Sequence, residues 1–337
     1  MLANSRASAL KYTKTPYLIA RSREPFEELY WVPDSSLPAL NVKCDPMSLI
    51  TKTELYALKK KFKVSNRLLQ RVTDCYKKND SEIDLDNMTS LESSLFISEL
   101  ETLILSKVKQ QYRCESCNFL PFYDKELLGE KCFHTQIIGG SSSGKSYITS
   151  KIIEANFDSG TDIYVFSPTA TKDKAWTSLR KTLGKRVKLI NSNDVAMRIP
   201  LEELSPGHVL VVDDIDSTTD ENGAKTYISM LQRRCLFEGR HYTNSKGQGC
   251  IVFGIYHDSF AVGSNTSIKS ACIESSRVIL FPTLNRSICT KFLSKRLHWT
   301  SKEIKKAYEF ITKKDRWMCV YSHVPNLLLT AHGVLLL

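Results

Sequence analysis

Long apolar runs are missing from this 337-residue chain. Nowhere do roughly 18 apolar residues follow one another, so no helix is expected to span a membrane. The opening stretch MLANSRASALKYTK has no apolar centre of the kind a secretory leader carries, and none is expected. There is no internal repeat and no low-complexity tract, which sets aside solenoids and compositionally biased linkers. Acidic charge is short: 36 Asp and Glu face 47 Lys and Arg, a net charge of +11. That imbalance suggests a polyanionic partner, nucleic acid first. Without a secretory signal, the ten cysteines read as reduced thiols in an intracellular compartment rather than a disulfide framework. What remains is ordinary for a globular chain, with 42% hydrophobic and 25% charged residues. The length allows one α/β domain of about 200 residues and a smaller attachment.

The most informative stretch is Gly139-Gly140-Ser141-Ser142-Ser143-Gly144-Lys145-Ser146, which fits the phosphate-loop pattern GxxxxGK[ST]. Glycines let successive backbone N–H groups turn inward around polyphosphate oxygens. Lys145 is placed to reach the β and γ phosphates, and Ser146 to offer its hydroxyl to Mg²⁺. The helix opening there directs its positive end at the same anion. ATP and Mg²⁺ are therefore the expected ligands.

From residue 133 onward, short apolar strands alternate with helix-length connections, the pattern of a mostly parallel sheet covered by helices. Strands are expected at 133–138, 162–166, 187–190, 208–212, 250–256 and 277–281, with helices at 145–156 and 225–237. The loop thus follows a strand and opens a helix, as the motif requires. A second anchor is HVLVVDDID at 208–216, a buried strand ending in acids. Asp213 is assigned to the metal and Asp214 to the attacking water, with Asp216 the alternative to Asp214. After the helix at 225–237, Gly239 suits a helix stop and presents Arg240 on a short turn, where it could stabilise γ-phosphate charge in a neighbouring subunit. Arg233 and Arg234 compete for that role. His257, at the tip of the strand at 250–256, is the candidate γ-phosphate sensor.

Residues 1–130 form a separate N-terminal region, mainly helical, of unreadable role; 131–337 form the ATPase domain. An extended arm rich in proline and aromatics covers about the first 45 residues. Next comes a basic stretch with Lys52, Lys59, Lys60, Lys61, Lys63, Arg67, Arg71, Lys77 and Lys78 against Glu54 and Asp74. It reads as two short helices, either a solvated basic face or a helix-turn-helix meeting DNA through Arg67 and Arg71. A capping box at 89–92 opens a further helix. Cys114, Cys117, Cys132 and His134 could form a tetrahedral Zn²⁺ site, although CxH is an unusual half-site; the alternative is four independent reduced residues. Near the C-terminus a capping box at 300–303 opens a basic helix whose lysines point outward.

The ordered set GGSSSGKS, IYVFSPTATKDKAW, VLVVDDID, LFEGRHY and the strand ending in His257 resembles the FtsK/HerA-type genome-packaging ATPases of large double-stranded DNA viruses and their transposon relatives. The resemblance covers about residues 133–325. It implies a RecA-like (ASCE) P-loop fold with an extra strand between the phosphate-loop and metal-acid strands. It also implies a hexameric or pentameric ring that pumps double-stranded DNA into a capsid, meeting capsid or portal-vertex proteins where virus assembles in the host cell. The Gly239-Arg240-His241 turn looks like the family's arginine-finger segment, and Ser167-Pro168-Thr169 with Trp176 like its element after the second strand. This chain departs in having Asp213-Asp214 where many relatives have Asp-Glu, and His257 where the sensor is often Gln or Asn. Rival readings of the same motifs are a cellular or plasmid DNA pump, and a nucleotide-binding DNA regulator without motor activity. A small-molecule kinase is disfavoured because no acceptor-binding lid is visible.

Overall fold

The computed structural model describes residues 2–3, 17–23, 26–31, 50–67, 69–70, 95–97, 99–100, 103, 111–122, 132–157, 160–194, 199–218, 223–245, 247–257, 274–321 and 327–337. Two compact units result: Met1–Pro16 with Tyr30–Glu115, and Tyr17–Leu29 with Ser116–Leu337. Strand Tyr17–Arg23 of the expected N-terminal arm pairs antiparallel with Leu120–Pro121, setting Ala20 opposite Pro121 inside the second unit.

In the first unit, Thr51 opens helix Lys52–Lys61 with a capping box: its hydroxyl accepts the Glu54 N–H at 3.2 Å, and the Glu54 carboxylate accepts the Thr51 N–H at 2.9 Å. Leu55, Leu58 and Phe62 pack on a small core of Ile50, Val64, Phe96, Ile97 and Leu100. Lys52, Lys60, Lys61, Lys63 and Arg67 are exposed, as a solvated basic face would be. Arg71, Lys77, Lys78 and the capping box at 89–92 lie outside the described residues.

Among the described residues the second unit contributes nine strands to its large sheet: β1 (Thr135–Ile138), β2 (Ile163–Ser167), β3 (Val187–Asn191), β4 (Val209–Asp213), β5 (Ile251–Tyr256), β6 (Arg277–Leu280), β7 (Met318–Tyr321), β8 (Leu327–Thr330) and β9 (Gly333–Leu336). Their order is β9-β8-β7-β6-β1-β5-β4-β2-β3. All pairings from β6 to β3 are parallel, and β6-β7, β7-β8 and β8-β9 are antiparallel. The fold is thus an α/β RecA-like arrangement in which β5 separates the phosphate-loop strand β1 from the acid-bearing strand β4. The six parallel strands stand where the sequence places them, within a residue or two. The reading of the sequence ends its strands at 281, whereas β7 to β9 follow. Both faces of this ribbon are buried, so it reads as a near-continuous apolar run without alternation.

Among the described residues, five α-helices accompany the sheet: α1 (Lys145–Asn156), α2 (Lys174–Leu183), α3 (Ala224–Glu238), α4 (Arg286–Arg296) and α5 (Ser301–Phe310). Register aligns Ile138 with Tyr256 and Leu280, so these side chains share a face. On that face Ile228, Leu231, Cys235 and Leu236 of α3 join the cluster containing Tyr256, while Phe292 of α4 and Ile304, Ala307 and Phe310 of α5 join the one containing Ile138 and Leu280. The opposite face meets Phe157, just past α1, whose ring packs edge-on to Phe253 of β5 at 6.3 Å. The expected capping box of α5 is present: the Thr300 hydroxyl accepts the Glu303 N–H at 3.3 Å, and the Glu303 carboxylate accepts the Thr300 N–H at 2.7 Å. Among the described residues no helix is long and apolar enough to cross a membrane.

Candidate active site

Parallel strands deliver their C-terminal ends to one edge of the sheet, and the tips of β1, β5 and β4 adjoin there. The Gly139 N–H donates to the Tyr256 carbonyl at 3.1 Å, and the Asp214 N–H to the Ile255 carbonyl at 3.3 Å. The phosphate loop, the acids and His257 are thereby sewn to one another by backbone.

Within the loop the glycines have different reasons to be glycine. A Cβ on Gly139 would sit 2.6 Å from Phe281 Cδ2 and 2.9 Å from Ser143 Oγ, closer than packed atoms allow. Gly144 has φ +97°, a left-handed conformation that ends the loop and starts α1. Gly140 has open space at its Cβ position. The Lys145 ammonium donates to the Gly139 and Gly140 carbonyl oxygens at 2.7 and 2.9 Å, which folds the side chain back over the loop. Burial lowers its pKa, opposed by attraction to Asp213 and Asp214. Ser143 Oγ is buried and has no hydrogen-bond partner. A buried hydroxyl in that state, on the loop that also carries Lys145, fits a phosphate oxygen.

Asp213 ends β4, 5% exposed, and Oδ2 is the meeting point of the site. The Trp176 indole N–H donates to it at 2.8 Å and the Ser146 hydroxyl at 3.4 Å. Burial pushes the Asp213 carboxyl up; the Trp176 hydrogen bond and Lys145 pull it down, and Asp173 and Asp214 oppose them. A hydroxyl and a desolvated carboxylate converging beside a lysine are the hard oxygen donors that Mg²⁺ takes. Trp176 is 0% exposed and comes from α2, whose start is fixed by Asp173 accepting the Ala175 N–H at 2.7 Å. The role of Trp176 is absent from the sequence reading, which marks the residue without giving it a partner; the pairing of positions 176 and 213 exists only in three dimensions.

Asp214 follows in a left-handed conformation, φ 54°, and turns the chain away from the strand. Its Oδ1 lies 3.3 Å from His257 Nε2, at ion-pair distance but without hydrogen-bond alignment. The two side chains are 32% and 42% exposed, so both face the open side of the loop. Asp216 is exposed and lies 3.6 Å from Lys225 Nζ.

Arg240 stands at the other edge of the sheet. It is exposed in the one-turn segment Gly239–His241, and the Cys250 N–H just before β5 donates to the Gly239 carbonyl at 3.0 Å. Its Nε approaches His241 Nε2 at 3.4 Å, and no carboxylate pairs with it among the described residues. The competitors are engaged: Arg234 binds Glu202 and Glu238 at 2.6 and 3.2 Å, and the Arg233 guanidinium lies 5.8 Å from the Phe237 ring centre. The length of β5, about 20 Å for six residues, separates Arg240 from the phosphate loop of its own chain.

The expected zinc set is not available as four ligands. Cys114 and Cys117 are disulfide-bonded, which also corrects the expectation that all cysteines are reduced. His134 uses both ring nitrogens on backbone: Nδ1 accepts the Val252 N–H at 3.1 Å and the other donates to the Leu236 carbonyl. Cys132 is a buried thiol outside any disulfide.

No protein-family model matches this sequence, and no curated protein matches it. Solved structures do resemble it. The DNA-packaging ATPase of Sulfolobus turreted icosahedral virus aligns over 60% of this chain and 97% of its own, with 13% identity and a TM-score of 0.35. The AMP complex of the genome-packaging NTPase of Sulfolobus turreted icosahedral virus 2 aligns over 57% and 94%, with 14% identity and a TM-score of 0.33. A DnaB-like replicative helicase aligns over 83% and 73%, with 9% identity and a TM-score of 0.29.

Proposed function

We propose that this chain is a Mg²⁺-dependent ATPase that moves double-stranded DNA, packaging a viral genome into a capsid at the assembly site inside the host cell. The observation that carries the reading is the convergence of Ser146, Trp176 and Lys145 on Asp213, with Asp214 and His257 paired on the open side of the same loop. The motif order that resembles the FtsK/HerA-type packaging ATPases supplies the DNA and the capsid.

In this reading the loop N–H groups, Ser143 and Lys145 bind and orient the triphosphate. Ser146 and Asp213 hold Mg²⁺, which when bound draws charge from the phosphate oxygens. Trp176 fixes the Asp213 carboxylate and keeps it from swinging. Asp214 orients the attacking water and accepts its proton, and His257 beside it senses the γ phosphate. Arg240, too far from its own loop, serves a neighbouring subunit in a pentameric or hexameric ring. The exposed bases Lys291, Lys295, Lys302, Lys305, Lys313, Lys314 and Arg316 offer a sequence-independent surface to DNA phosphates, which suits movement along any sequence.

The test is ATP hydrolysis with and without duplex DNA in the wild type, Lys145→Ala and Asp214→Asn. DNA should stimulate the wild type, and both variants should lose at least about 100-fold in kcat. Equal, negligible rates in all three would sink the motor reading. DNA binding that persists without hydrolysis would favour a regulator.

A further inference from the structure

A second cluster of chemically competent side chains lies at the opposite edge of the sheet from the phosphate loop. His208 directly precedes β4, Cys235 is on the last turns of α3 and Cys250 directly precedes β5; their exposures are 1%, 0% and 0%. The ligand atoms of the three all lie within 4.8 Å of one another. His208 Nε2 is 3.1 Å from Cys250 Sγ and 3.8 Å from Cys235 Sγ. Tetrahedral zinc with ordinary bond lengths puts sulfur and nitrogen ligands about 3.6 Å apart and two sulfurs about 3.8 Å apart. The His208–Cys235 separation is close to that spacing, and Cys250 lies somewhat nearer the imidazole.

The tautomer agrees. His208 Nδ1 lies 2.8 Å from the Ser205 carbonyl, an acceptor, so Nδ1 carries the proton and the Nε2 lone pair faces the sulfurs. Metal-binding imidazoles are commonly held this way, with the far N–H on a carbonyl. The edge of the Tyr164 ring packs against the imidazole at 5.5 Å and helps fix its plane. A third thiol, Cys132, lies nearby but outside this group. Cys132 Sγ lies against Gly249, the residue before Cys250, where a Cβ would meet it at 2.6 Å. Cys132 is itself buried, and a charge on it is felt by Cys250.

The geometry points to a structural Zn²⁺ site formed by His208, Cys235 and Cys250. A soft, buried donor set of two thiols and one imidazole, without a carboxylate among its members, selects zinc over magnesium or calcium. Each thiol that binds releases its proton to solvent, so the metal sits as Zn²⁺ among thiolates and no oxidant or reductant is needed. The metal clamps the end of α3 to the starts of β4 and β5, where the Gly239 carbonyl accepts the Cys250 N–H at 3.0 Å. This site stands apart from the motor reading, because its occupancy is measured without nucleotide or DNA.

The experiment is elemental analysis of the full chain purified under reducing conditions without chelator. Wild type should carry zinc near one per chain, Cys114→Ser/Cys117→Ser should keep it, and His208→Ala/Cys250→Ser should lose it. Because that double variant could fail to fold, wild type stripped with a chelator is also titrated with Co²⁺. Sulfur-to-cobalt charge-transfer absorption should appear at one equivalent, and Tm should rise by several degrees with Zn²⁺. Absence of the cobalt band with no Tm shift would overturn the site, as would zinc that persists in the His208/Cys250 variant. A Cys235–Cys250 disulfide in protein kept under reductant would equally overturn it.

Discussion

Asp213 is a carboxylate whose burial is costly and on which the proposed site depends. Burial pushes its pKa up, and the indole N–H of Trp176 is the first group working against that. Replacing Trp176 by Phe keeps a large ring in the 0%-exposed slot but removes a hydrogen bond to a charged group, about 1.5–3 kcal/mol of preference for the ionised form. In the proposed role Asp213 must be ionised to hold Mg²⁺, so activity should be lost as pH falls through its pKa. In Trp176→Phe that acid limb should begin at a higher pH, with the alkaline side of the profile unchanged. A pH–rate profile of ATP hydrolysis checks this; coincident acid limbs in wild type and variant would mean that Trp176 only fills space. The sequence makes Asp213 legible because it ends an apolar strand in the expected order after the phosphate loop. It does not make Trp176 legible as a partner, since 37 residues separate the two and no local pattern records their meeting.

At the scale of elements, α3 and β5 are held together through His134. Its Nδ1 takes the Val252 N–H of β5 and its other nitrogen binds the Leu236 carbonyl of α3. Burial pushes its pKa down from 6.5 to about 4, the Leu236 contact opposing only in part. The unfolded chain therefore binds a proton that the folded one refuses. Stability is complete above about pH 6.5 and is lost as pH falls towards 4. The fall from neutral pH to pH 5 should amount to about 2 kcal/mol from this residue. Denaturant melts at the two pH values, in wild type and His134→Gln, isolate it: the variant should be less stable at neutral pH and less sensitive to acid. Equal pH slopes would remove His134 from the account. A histidine two residues from a cysteine suggests a metal half-site in the sequence, and only the backbone partners of its ring exclude that.

Across the whole molecule the loop and Arg240 lie at opposite edges of one sheet, separated by the length of β5, about 20 Å. An arginine side chain cannot bridge that distance within its own chain, so any contact with a γ phosphate crosses a subunit boundary. Lys145→Ala and Arg240→Ala subunits should each be inactive alone and regain activity when mixed. With random assortment in a head-to-tail ring, equal mixing should restore roughly a quarter of the wild-type sites. The measurement is ATP hydrolysis against mixing ratio, with assembly followed by light scattering; an intact assembly with no recovery would count against Arg240 as a finger.

The sequence by itself determined what is written in local order: the glycine-rich loop after a strand, the acids at the tip of another, and the capping residues of α5. These follow from backbone sterics and hydrophobic periodicity, which act over a few residues. Tertiary structure decided what depends on strands distant in sequence becoming neighbours. It set β5 between β1 and β4, brought Trp176 to Asp213, sent Arg240 to the far edge, and gathered His208, Cys235 and Cys250 from three elements into one cluster. The cysteines show the difference most plainly. Spacing offered Cys114, Cys117, Cys132 and His134 as one possible set, whereas the fold ties Cys114 and Cys117 into disulfide bonding and His134 to backbone. Ligand geometry is a property of atoms within a few ångströms, and chain spacing reports it only when both halves of a site are local.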